Sequence, residues 1–123
     1  MSFGTYFKKL RKAKGITQES VAVAIGKSKM LVSGVESGKN GAFIEADLWK
    51  ISKCLSLNEE EKSALFAQAS IARKCFPDYM MKYIAKHDDV YRLLEMISEY
   101  NLDTNHIKEI QRYVEETHNA KDY

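Results

Sequence analysis

TQESVAVAIGKSKMLVSGVESGK, residues 17–39, carries two short apolar rhythms set almost back to back. Val21, Ala22 and Ile25 share one face of a helix expected over residues 18–25. Leu31, Val32 and Val35 give a second stripe that runs to about residue 37. Thr17 stands at the first N-cap, with Glu19 in the first turn to complement the helix dipole. Gly26 falls just past the first helix, where a left-handed backbone is needed; Ser28 caps the second helix and Gly38 ends it. A helix offered to the DNA major groove must be short, supported from behind and unobstructed on its outer face. Ala22 is small where the two helices would cross, and Val32 and Val35 would wedge the second helix against a core. Lys29, Met30, Ser33 and Gly34 are left pointing outward, as a groove-facing surface would be.

Working outward, Phe3, Phe7, Leu10 and Ala13 recur at helical spacing and predict a first helix over residues 2–14, stopped at Gly15. After the loop KNGA, a fourth helix is expected near residues 45–55, burying Leu48, Trp49 and Ile51, with Cys54 on the same rhythm. Asn58 to Glu61 reads as a capping box that opens a long fifth helix to about residue 75. Pro77 restarts a short helix over residues 77–85. Asp88 or Asp89 caps the next, with Leu93, Leu94, Ile97 and Tyr100 inward, and Asp103 caps the last, along which Ile107, Ile110 and Val114 recur. No stretch alternates with period two, so the chain reads as all-α. The expected division is a DNA-binding domain over residues 1–57, a helical C-terminal region over 58–118 for dimerisation or partner binding, and a frayed tail over 119–123.

Charge divides the same way. Through Leu55 there are ten Lys/Arg against four acids, a net +6; from Ser56 onward nine basic residues face thirteen acids, a net −4. A basic half joined to an acidic half points to a polyanion met by the first half alone. The longest purely apolar run, Val21 to Ile25, is far below the roughly 18 residues of a membrane span. The N-terminus lacks the apolar segment of a signal peptide. Cys54 and Cys75 have no metal-ligand spacing and read as reduced thiols. A cytoplasmic protein is expected.

The quoted stretch resembles the helix-turn-helix of Cro/XRE-type phage-repressor proteins, in which Gln, Ala, Gly and a β-branched residue recur at set positions, here Gln18, Ala22, Gly26 and Val32. The resemblance runs from about Phe3 to Leu57. It implies a phage-repressor-like, five-helix DNA-binding domain with a helical C-terminal extension. It also implies roles. Lys29, Met30 and Ser33 would face the bases, Lys29 donating to guanine and Met30 packing on a thymine methyl. Gln18 would meet a phosphate and brace Lys29. Ser28, Lys27, Lys39 and Asn40 would lie along the sugar-phosphate backbone. Arg11 and Glu36 would bridge the first helix to the third inside the domain. Two positions depart from the family pattern: Gly34 stands where many relatives carry a long polar base reader, and GAFIEAD replaces the usual proline after the loop.

Nothing in the chain points to an enzyme. His87, His106 and His118 are scattered, and there is no phosphate-binding glycine loop, nucleophile elbow or metal-ligand cluster. No cofactor or metal is expected. The expected function is sequence-specific binding of double-stranded DNA at a palindromic operator, by a homodimer that represses a phage or mobile-element regulon. The alternative is an antitoxin-type module that holds a small protein partner through its C-terminal half and autoregulates its operon.

Overall fold

The computed structural model describes residues 1–121. Among these every regular element is helical: α1 (Phe3–Ala13), α2 (Gln18–Ile25), α3 (Lys29–Ser37), α4 (Glu45–Cys54), α5 (Glu59–Arg73), α6 (Asp78–Lys86), α7 (Asp88–Glu99) and α8 (Thr104–Lys121). The chain divides into two compact units, residues 1–81 and 82–123, with the division falling inside α6.

The first unit is built around Phe7, Val21, Val32, Ile51, Leu55 and Leu65, all fully buried. Phe43, in the irregular segment before α4, is buried edge-on against the Phe7 ring at 4.9 Å and the Phe3 ring at 6.0 Å. The segment GAFIEAD thus anchors itself by an aromatic residue where a proline would have set its direction. Helix α5 belongs to this unit and not to a C-terminal region beginning at residue 58. Its Leu65, Phe66 and Ala69 are core residues, and Lys14, which caps the end of α1, pairs with Glu61 at 2.8 Å. Burying a side chain such as Leu or Phe stabilises by roughly 1.5–3 kcal/mol each. A boundary at residue 57 would therefore remove two large core side chains, and the five-helix domain closes only with α5. The start of α6 is also tied in, since the Asp78 N–H donates to Glu45 of α4 (2.7 Å). Trp49, expected in the core, is 43% exposed; it packs against Phe66 at 4.8 Å, and the Lys62 ammonium lies 5.1 Å from its ring centre.

Helix α1 approaches the end of α3 so closely that Gly4 leaves no room for a methyl group. A Cβ there would stand 2.3 Å from the Val35 carbonyl oxygen and 2.6 Å from that of Glu36. In an open helix Gly→Ala stabilises by about 1 kcal/mol. Here overpacking against rigid backbone costs about 1–3 kcal/mol or more, and it wins. Gly4→Ala is expected to lower the urea midpoint; a raised midpoint would show that α1 and α3 are free to separate.

The second unit, considered alone, has no buried residue among those described. Asp103 caps α8 by accepting from the His106 N–H at 3.0 Å, as its position predicts. Helix α7 begins after His87 without a side-chain cap, so Asp88 and Asp89 lie in its first turn instead of capping it. Surface ion pairs of Arg92 with Glu95 and Glu99, and of Arg112 with Glu109, line the outer faces. Helix α8 runs to Lys121; residues 122 and 123, the end of the tail expected over 119–123, lie outside the described residues.

Candidate nucleic-acid interface

The α2–turn–α3 unit is closed by its own side chains. Thr17 Oγ1 accepts from the Ser20 N–H at 3.1 Å, and Ser28 Oγ accepts from the Leu31 N–H at 3.2 Å. Between them Gly26 takes a left-handed backbone (φ 68°), which lets the Gly26 and Lys27 N–H groups return to the Val23 and Ala22 carbonyls. A side chain at that φ would be strained. Ala22, Ile25, Val32 and Val35 are buried between the two helices and the core, so α3 is fixed from behind.

Its other face is open. Lys29, Met30 and Ser33 are exposed on the first turn and a half of α3. Met30 is 81% exposed, a large apolar side chain with nothing among the described residues to cover it. Gly34, expected outward beside them, is instead buried. It faces the loop that follows α3, so no long polar reader could be carried there.

Arg11 and Glu36 form a two-pronged pair across α1 and α3: Nε to Oε2 at 2.6 Å and Nη2 to Oε1 at 3.0 Å. The third nitrogen, Nη1, donates to the Ile16 carbonyl at 2.9 Å, which pins the segment leading into α2. Gln18 Nε2 also donates to Glu36 Oε1, at 3.0 Å. Gln18 therefore braces Glu36, not Lys29, and one network joins α1, α2 and α3. Burial pushes the Glu36 carboxyl up. The hydrogen bonds from Arg11 and Gln18, with the attraction of the guanidinium, outweigh burial and hold it below the usual carboxylate range. The hydrogen bond to Glu36 pushes the Arg11 guanidinium the other way, above its ordinary value.

Lys27, expected on the DNA backbone, is an ion-pair partner of Asp47, a nearly fully buried carboxylate at the start of α4. A buried charge needs its partner, so Lys27 is held on the domain's own acid. Lys39 is exposed in the loop after Gly38, and neither it nor Lys29 has an ion pair among the described residues. Asn40, placed with Lys39 by sequence, turns its amide back onto α3: Nδ2 donates to the Leu31 carbonyl at 3.4 Å.

The helix-turn-helix family model matches residues 7–61, from α1 into α5. No curated protein and no solved structure matches the chain significantly. The matched family is one of DNA-binding regulators and not of enzymes. Among the described residues there is no cluster of His, Cys, Asp and Glu fit to hold a metal ion, and no helix long and apolar enough to cross a membrane. A capped helix pair, with the second helix braced by a buried Arg–Glu–Gln network and bare on its outer face, coincides with that match, and residues 7–61 carry a helix-turn-helix of the Cro/XRE type.

Proposed function

We propose that the protein is a cytoplasmic, sequence-specific repressor that binds a palindromic operator as a homodimer. The observation that carries the reading is the outer face of α3. Lys29, Met30 and Ser33 stand free on a helix whose back is fully packed, with Met30 uncovered. Lys29 donates to guanine, Met30 covers a thymine methyl, and Ser33 supplies a hydroxyl to either base or phosphate. Gln18 keeps one amide N–H after bonding Glu36, and that hydrogen is available to a phosphate oxygen. The Ser28 backbone at the α3 N-terminus and Lys39 complete the phosphate contacts. A C-terminal unit with no buried residue of its own supports the dimer, since apolar helices such as α7, with Leu93, Leu94 and Met96 exposed, need a cover.

In selection from a randomised duplex pool, the intact chain should enrich a two-fold symmetric motif with half-sites about 34 Å apart, one helical turn. Light scattering should return twice the 14.1 kDa chain mass. No enrichment would refute the function; a strict monomer would refute the dimer. The uncovered helices also favour a second reading, in which the C-terminal unit holds a small toxin protein, and co-purification of such a partner from the native host would establish it.

Base and phosphate contacts differ in what they discriminate. Lys29→Ala should change preference at one base-pair position, worth about 1–3 kcal/mol, while Lys39→Ala should weaken every sequence alike. Both variants, measured on a panel of single-base operator changes, decide this. A uniform loss for Lys29→Ala would move Lys29 to the backbone.

A further inference from the structure

Gly34 lies in the body of α3 with its side-chain position already taken. A methyl there would stand 2.2 Å from Nδ2 and 2.9 Å from Cγ of Asn40. Asn40 fills the gap, with its amide nitrogen on the Leu31 carbonyl (3.4 Å) and its backbone N–H on the Gly34 carbonyl (2.9 Å). That same carbonyl accepts from the Ser37 hydroxyl at 3.1 Å, and Ser37 Oγ accepts from the Lys39 N–H at 3.4 Å. The exit loop is thus folded back onto the recognition helix at two points, and Lys39 is the exposed cation between them.

We infer that Asn40 is a positioning residue: seated on Gly34, it holds the exit loop so that Lys39 meets the DNA backbone, and it touches no phosphate itself. The inference rests on the DNA-binding reading above. A lysine on a loose loop must be ordered when DNA binds, which weakens its contact, whereas one on an anchored loop is ordered beforehand. Gly34 is in this view the complement of Asn40 and not a base reader lost from the helix.

The two roles of Asn40 separate in the salt dependence of binding. A neutral amide on a phosphate displaces no counterion, so losing a direct contact would leave the salt slope untouched. Losing the grip on Lys39 removes one neutralised phosphate per protomer, and the slope falls in magnitude by about 0.9 for each protomer bound. The test uses the intact chain and a fluorescein-labelled duplex of mixed sequence about three helical turns long. Asn40→Ala and Gly34→Ala should each lower the slope as Lys39→Ala does. Gly34→Ala should do so while its melting temperature stays at or above wild type, because alanine is the better helix former. In the Lys39→Ala background, Asn40→Ala should cost less than about twofold more. A wild-type slope in Asn40→Ala, with a loss additive to Lys39→Ala, would make Asn40 a direct contact and overturn the inference. Wild-type binding by Asn40→Ala would overturn it equally. If Gly34→Ala does not fold, the exposed Asn40→Ala change decides alone. Failure of the unaltered chain to bind the duplex would instead remove the DNA reading, and the inference with it.

Discussion

Arg11→Ala is expected to destabilise the first unit by about 3–5 kcal/mol, measured by urea unfolding, because it leaves a carboxylate charged and buried without its partner. The Glu36 side chain is only 3% exposed and that of Arg11 9%. An exposed pair such as Arg92–Glu95, removed in the same way, should cost under about 1 kcal/mol. The loss comes from orphaning Glu36, more than from the net worth of the pair. Replacing both partners with apolar residues of similar volume should therefore recover much of it. A loss below about 1 kcal/mol in the single variant would mean that water reaches Glu36 and that the network does not brace α3.

The same pair fixes a pH dependence. The folded Glu36 carboxyl is held below its unfolded value, about 4.3 for a free glutamate. Its contribution is therefore fully present above that value and is lost as pH falls through the lower, folded one. Arg11 stays charged throughout. Glu61 and Asp103 are also held low, the first by Lys14 and the Asn58 N–H, the second by the His106 N–H, so total stability against acid mixes several groups. The difference between wild type and Glu36→Gln isolates one of them. It should be flat from neutral pH down to about 5 and shrink below about 4.3.

The local features of the fold were legible because they depend on neighbours in sequence. Thr17, Ser28, Asn58 and Asp103 cap the helices that their positions predict, and Gly26 and Gly38 end theirs. Helical periodicity also identified the inward faces of α1 to α3. What it could not tell is what packs on a face. Phe43 sits in a segment with no rhythm, yet it is a core residue, held there by rings from α1. Trp49 has the right phase for burial but lies at the rim, where Phe66, Tyr79 and Lys62 meet it from α5 and α6.

The errors at the site have the same origin. Helical phase puts Gly34 on the groove-facing side, because phase alone cannot register a loop returning over it, and Asn40 closes that space. Lys27 carried the charge expected of a phosphate contact, but the acid that claims it is twenty residues away in α4. Arg11 and Glu36, twenty-five residues apart, were identified only through the family resemblance. Contacts set by tertiary distance leave no mark on local pattern, and these are the contacts that aim α3.

Binding to duplex DNA should weaken steeply with salt, and the steepness should report the oligomeric state. Of the ten cations in residues 1–55, Arg11, Lys14 and Lys27 are taken by Glu36, Glu61 and Asp47, which leaves seven lysines without an ion pair among the described residues. If about three to five of them in each protomer meet phosphates, a dimer neutralises six to ten, and its affinity should fall about 10³–10⁵-fold between 50 and 200 mM salt. A monomer meeting half as many would lose only roughly 40- to 500-fold over that range. Fluorescence anisotropy with the selected operator, at four or more salt concentrations, gives the slope directly. Intermediate steepness that rises with protein concentration would place the dimerisation equilibrium within the titration. A flat profile would mean that the lysines do not face the duplex, and the uncovered helices of the C-terminal unit would then carry the function through a protein partner.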